Sequence, residues 1–173
     1  MELDKVFIKE EVLSIPGIRE AIRDRNYDKV FELCKTTKKK QQLALSLYLS
    51  RVDFLPYMTS IPESLFRGFS DLKSISIPGN IKEIGDLAFF NSGLDEVDLG
   101  EGIEKIGDGA FSQTNIKEIH LPKSIKELGQ SSLGKARVYC FINTFEDLNR
   151  SEYSYGHFTV NKILNTETGK PLN

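Results

Sequence analysis

The sequence predicts an α/β solenoid of stacked short parallel strands, with a helical cap at its N-terminal end and a small β cap at its C-terminal end. Two observations predict the solenoid. The stretch Ile81-Lys82-Glu83-Ile84-Gly85-Asp86-Leu87-Ala88-Phe89 returns as Ile103-Glu104-Lys105-Ile106-Gly107-Asp108-Gly109-Ala110-Phe111, and again as Ile125-Lys126-Glu127-Leu128-Gly129, at a constant spacing of 22 residues. Each of the first two copies leads into an alternating segment, Leu94-x-x-Val97-x-Leu99 and then Ile116-x-x-Ile119-x-Leu121, with Leu72-x-x-Ile75-x-Ile77 ahead of both. Alternation of this kind is a strand with one buried face. A unit this short buries its apolar face only by stacking on a neighbour, so a fixed period of about 20–50 residues implies a solenoid. A third observation, the absence of the repeat from residues 1–60 in favour of helical spacing, predicts the cap.

Taken in order, Leu3, Val6, Phe7 and Ile8 begin an apolar face that ends near Pro16. Ile18–Ile22 and Tyr27–Cys34 have the i, i+3, i+4 spacing of amphipathic helices, and Asn26 is placed to cap the second. The basic run Lys35 to Lys40 is expected to be a solvated loop, followed by a helix from Gln41 to Leu49 carrying Leu43, Leu45, Leu47 and Leu49. Residues 61–140 then form about four coils, the first opening on Ile61 with Leu65 and Phe66 at its centre. Phe89 and Phe111 are expected to fill the next two centres. Gly85 and Gly107 mark a bend needing either positive φ or a close backbone approach. Asp86 and Asp108 sit where a short helical turn takes an N-cap. Val138-Tyr139-Cys140-Phe141 reads as a last strand. Residues 141–173 form a C-terminal cap or tail, with strand character at His157–Val160 and Lys162–Leu164, expected either to pair with or cover the sheet edge or to serve as a small binding appendage.

The pattern I-x-x-I-G-x-x-A-F-x-x-[ST]-x-[LI]-x-x-[VI]-x-[LI]-P resembles the BspA-like branch of the leucine-rich repeat family, over about residues 61–140. The resemblance implies a right-handed solenoid with its strands on the concave side, and a protein-binding role. Two departures stand out. Gly100 replaces the usual Pro, and Gln130-Ser131-Ser132-Leu133 loses the Ala-Phe pair, as a solenoid nearing its end would.

Composition narrows the chemistry. Of 173 residues, 39% are hydrophobic and 28% charged, which suits a chain with a real core. The net charge of −2 counts against general nucleic-acid binding. Residues 61–140 carry twelve acidic and nine basic side chains. No apolar run approaches the roughly 18 residues of a membrane span. Met1-Glu2-Leu3-Asp4-Lys5 lacks the basic-then-apolar order of a secretory leader, so a cytoplasmic setting is expected, in a bacterium or a phage-infected cell. Cys34 and Cys140 lie on apolar faces and read as buried, inert thiols. His120 and His157 are far apart in sequence, no carboxylate pair is isolated among apolar residues, and the glycines belong to the repeat. No catalytic residue, metal site or cofactor is expected.

If Val97 and Leu99 face inward, Glu96 and Asp98 face outward, together with Ser74 and Ser76 before them and Glu118 and His120 after. Two concave rows, Ser74-Glu96-Glu118 and Ser76-Asp98-His120, are the candidate partner-binding residues, with Glu96 beside Glu118 as a like-charge contact. The expected function is a non-enzymatic interaction module binding a protein partner, a host protein in the fullest version. Alternatives are nucleic-acid association through Lys35, Lys38, Lys39 and Lys40, a self-associating structural protein using the aromatics near Tyr153 and Tyr155, and a surface adhesin. The chain itself is expected to be a monomer or a weak homodimer.

Overall fold

The computed structural model describes residues 10–49, 53, 55–141 and 160–164. The readings made above for Leu3–Ile8, Tyr153, Tyr155 and His157–Thr159 lie outside the described residues. Four helices come first: α1 (Glu10–Leu13), α2 (Ile18–Arg23), α3 (Tyr27–Leu33) and α4 (Thr37–Leu49). Asn26 caps α3 as its sequence suggests, its side-chain oxygen accepting the Lys29 N–H at 3.0 Å.

The start of α4 corrects the reading of the basic run. Thr36 accepts the Lys39 N–H on its hydroxyl (3.3 Å) and the Lys40 N–H on its carbonyl (3.1 Å), so Lys38, Lys39 and Lys40 ride in the first helical turn. Cations at the positive end of a helix dipole are unfavourable, which is why the run looks like a loop. Tertiary packing outweighs that cost. Leu43, Ala44 and Leu47 are fully buried, while Leu45 points out and stays 43% exposed.

Three polar ties join the helices and the segment after them to the first coils. Asp28 accepts both the backbone N–H and the hydroxyl of Thr59. Gln41 donates to the Ser64 carbonyl at 2.8 Å. Asn80 donates to the carbonyls of Leu55 and Met58. The buried side chains form one continuous core from Val12 to Cys140.

Each coil supplies two strands. The short strands β1 (Ser60–Ile61), β3 (Glu83–Ile84), β5 (Lys105–Ile106) and β7 (Glu127–Leu128) stack as one four-stranded parallel ladder. The longer strands β2 (Ser74–Ile77) and β4 (Glu96–Leu99) pair in parallel, as do β6 (Glu118–His120), β8 (Arg137–Phe141) and β9 (Val160–Leu164) in turn. Between the ladders the predicted aromatic filling is present. Phe66, Phe89 and Phe111 are buried with parallel rings, each 5.1 Å from the next. The fourth copy departs in side chains but keeps the path: Leu133 takes the Phe position, and Ser132 is buried where its neighbours have Ala. Its carbonyl accepts the Phe111 N–H at 2.8 Å, as the Ala110 carbonyl accepts that of Phe89.

Between neighbouring coils the structure decides one open question and overturns one reading. Gly85 and Gly107 have no positive φ; they are glycines because the coils touch there. A Cβ on Gly107 would lie 2.6 Å from the Asp86 nitrogen, and one on Gly85 the same distance from that of Glu63. Asp86 and Asp108 do not cap their own turns. Asp86 Oδ1 accepts the Asp108 N–H (2.8 Å) and Asp108 Oδ1 accepts the Gln130 N–H (2.6 Å), so each carboxylate fastens the coil 22 residues on. A carboxylate bound to a backbone N–H is among the stronger polar contacts, and here it recurs with the repeat.

Candidate functional site

The face formed by the longer strands holds the six residues expected from the alternation. Ser74, Ser76, Glu96, Asp98, Glu118 and His120 are all exposed. They fall into two groups. In the first, Ser74 is in register with Glu96 and Ser76 with Asp98, and the Ser76 hydroxyl donates to Asp98 Oδ2 at 2.9 Å. Ile75 and Val97 alternate with them and pack against the core, and the strand pair lines a shallow depression of about 300 Å³ whose outward side chains are Ser74, Ser76, Glu96 and Asp98.

The second group involves residues that the sequence reading did not single out. β6 is in register with β8, which sets Glu118 opposite Arg137 and His120 opposite Tyr139. Glu118 accepts from the Arg137 guanidinium and, at 3.4 Å, from the Tyr139 hydroxyl. The His120 and Tyr139 rings stack at 4.7 Å and 9°. β6 lies beside β4 without a hydrogen-bonded ladder between them, and on its other side the charge of Glu118 is met by Arg137 of β8. The signal was available: Arg137-x-Tyr139 continues the outward phase one strand further.

A second face carries charge in a regular order. The dipeptides Lys82-Glu83, Glu104-Lys105 and Lys126-Glu127 alternate in sign, and stacking turns that alternation into two cross-coil rows. Glu104 lies 3.9 Å from Lys82 and accepts from Lys126 at 2.6 Å; Lys105 lies 3.5 Å from Glu83 and 3.8 Å from Glu127. The hydrogen bond from Lys126, then its charge, hold the Glu104 carboxyl below its ordinary pKa. A depressed carboxyl stabilises the fold above its unfolded pKa, and that contribution is lost as pH falls through the folded value. The pairs are exposed and each contributes little. Glu104→Gln is therefore expected to lower the urea midpoint slightly at neutral pH. The difference from the parent chain should begin to shrink near the ordinary glutamate pKa of about 4.3 and vanish once pH has fallen below the lowered folded value; a gap that persisted in stronger acid would assign the effect to packing.

Both cysteine thiols sit in unreactive surroundings. Burial raises the Cys34 thiol, against the opposing charges of Lys40 and Lys39, and pushes the Cys140 thiol up to about 11. Both cysteines are buried and unpaired, and thiols held neutral in this way are poor nucleophiles. Among the described residues no group of three or more His, Cys, Asp or Glu is placed to hold a metal ion, and no helix is long and apolar enough to cross a membrane.

No curated protein and no solved structure matches the chain. A family model does: the BspA type leucine rich repeat region, in six copies over residues 28–155. That span begins inside α3 and runs past the residues 61–140 in which the repeat is legible by eye. With parallel strands stacked coil on coil, an in-register phenylalanine core and a family match over most of its length, the chain belongs to the BspA type leucine-rich repeat family.

Proposed function

We propose that this chain is a non-enzymatic module that binds a protein partner through the concave face of its longer strands. The observation that carries this reading is the depression on β2 and β4, which presents Ser74, Ser76, Glu96 and Asp98 outward. A polar, acidic lining suits a basic or polar protein segment, which the carboxylates would steer and orient. The neighbouring Glu118, His120, Arg137 and Tyr139 extend the surface with aromatic area, which interfaces favour. A cytoplasmic setting, in a bacterium or a phage-infected cell with a host protein as partner, completes the proposal. The two unpaired thiols bear only on the compartment, since reducing conditions keep cysteines in that state.

The test is a pull-down from the native cell type, comparing the parent chain with Glu96→Lys/Asp98→Lys. Glu118 is left in place because it neutralises Arg137. Both substituted positions are exposed, so circular dichroism should report an unchanged fold. A specific protein held by the parent chain and weakened at least tenfold in the variant is the expected result. Equal capture by both chains would move the interface off this face.

The basic run favours nucleic acid less once the helix is seen. Lys39 is part-buried and 3.9 Å from Glu11, and Lys38 to Lys40 sit together in the first turn of α4. Binding that falls steeply with salt and disappears in Lys38→Gln/Lys40→Gln would restore that reading.

A further inference from the structure

Away from the strand face, α4 and the turn of the first coil enclose a cleft of about 420 Å³. Its lining is graded. Leu72 is fully buried, Phe69 is half-buried with its ring edge-on to Phe66 at 5.5 Å, and Leu45 is one of only two large apolar side chains left exposed among the described residues. Around this apolar floor stand two cations, Lys38 on the helix and Arg67 on the coil, against one carboxylate, Asp71. The Arg67 guanidinium rests over the Phe90 ring, 5.1 Å from its centre, which orders it without neutralising it. Volumes of roughly 300–1,000 Å³ with mainly apolar walls and a few polar groups are typical of small-ligand sites.

We propose that this cleft is a second binding site, independent of the strand face, for an amphipathic anion: an apolar chain of about eight to twelve carbons, set by the cleft's size, ending in one carboxylate. The chain would lie on Leu45, Phe69 and Leu72, removing from water the apolar surface that α4 leaves exposed. The carboxylate would sit among Lys38 and Arg67, where an arginine fork suits its geometry. Leu45 thereby acquires a reason to face outward on a helix in which Leu43 and Leu47 are buried.

The probes are decanoate, the uncharged decanol, and a short leucine-rich peptide offered with a free or an amidated C-terminus. Binding to the full chain is followed by amide chemical shifts of the Lys38–Leu45 and Arg67–Leu72 segments. Expected is saturable binding of decanoate, or of the free-acid peptide, centred on those segments. Decanol or the amidated peptide should bind at least tenfold more weakly. Preference for decanoate would identify a free carboxylate as the ligand, and preference for the peptide a chain terminus. Arg67→Glu should weaken the anion at least tenfold and leave decanol unchanged, and Leu45→Asp should weaken every probe. Both positions are exposed, and retained circular dichroism keeps the comparison valid. Absence of saturable shifts, or equal binding of anion and alcohol that ignores Arg67→Glu, would overturn the proposal. Neither outcome touches the strand-face reading, whose variants lie elsewhere.

Discussion

Phe89→Ala is expected to lower the unfolding free energy by about 3–5 kcal/mol, the range for emptying a buried aromatic site. The Phe89 ring is fully buried and lies parallel to Phe66 on one side and Phe111 on the other, at 5.1 Å each. Truncation removes both ring contacts and leaves a void that neighbouring coils cannot close, because backbone hydrogen bonds on either side hold their spacing. The Phe89 N–H donates to the Ala110 carbonyl and the Phe66 N–H to that of Ala88, both at 2.8 Å. Phe89→Leu is the control, since Leu133 fills the equivalent position in the fourth coil; a near volume-conserving change should cost about 1.5 kcal/mol or less. Urea denaturation reads both. A loss for Phe89→Ala no larger than that for Phe89→Leu would show that the coils collapse to fill the space. In a solenoid each coil is supported only by its neighbours, so the alanine variant should also broaden the transition as the two sides separate.

The second large effect is expected from a single added methyl group. Gly107→Ala should cost about 3 kcal/mol, from overpacking against backbone and the weakening of two inter-coil hydrogen bonds at about 1 kcal/mol each. The new Cβ would stand 2.6 Å from the Asp86 nitrogen and 2.8 Å from the Gly85 carbonyl carbon. These are backbone atoms without room to turn away. To accommodate it the coils must part, which stretches the bond from the Gly107 N–H to the Ile84 carbonyl (2.7 Å) and that from the Asp108 N–H to Asp86 Oδ1 (2.8 Å). Gly68→Ala isolates the other role of glycine. There φ is +74° and nothing lies within 4 Å of the added carbon, so only the left-handed backbone cost of roughly 1–2 kcal/mol applies. Thermal unfolding should rank Gly107→Ala well below Gly68→Ala. Equal effects would mean that inter-coil contact at Gly107 yields as easily as an open turn.

How far such features can be read without coordinates depends on the range of the interaction that makes them. The periodic Ile, Ala and Phe positions are legible because side-chain direction along a strand or turn is a local property, and a burial pattern repeated every 22 residues leaves one way to stack. The Asn26 cap is legible for the same reason, its partner being three residues away. Asp86 was misassigned because a carboxylate after a bend has two chemically equal choices, its own turn or the coil above. Only the inter-coil distance selects between them. Lys38 to Lys40 were misplaced because a run of like charges at the positive end of a helix dipole argues for a loop, whereas the burial of Leu43, Ala44 and Leu47 in the common core is a tertiary gain. Arg137 was passed over as the partner of Glu118 because the alternation says which way a strand residue points and nothing about which neighbour its side chain will bond.

The sequence by itself determined that this chain is a repeat solenoid of the BspA type, which side chains form its core, and that Ser74, Ser76, Glu96, Asp98, Glu118 and His120 stand outward. Those properties follow from period and alternation, which are written along the chain. Only the tertiary structure decided what the polar side chains hold: the carboxylate fastenings at Asp86 and Asp108, the Glu118–Arg137 pair with His120 stacked on Tyr139, and the cleft between α4 and the first coil. Each joins groups at least 19 residues apart in sequence. At that separation a polar partner is selected by coil spacing and strand register, which exist only once the coils have stacked.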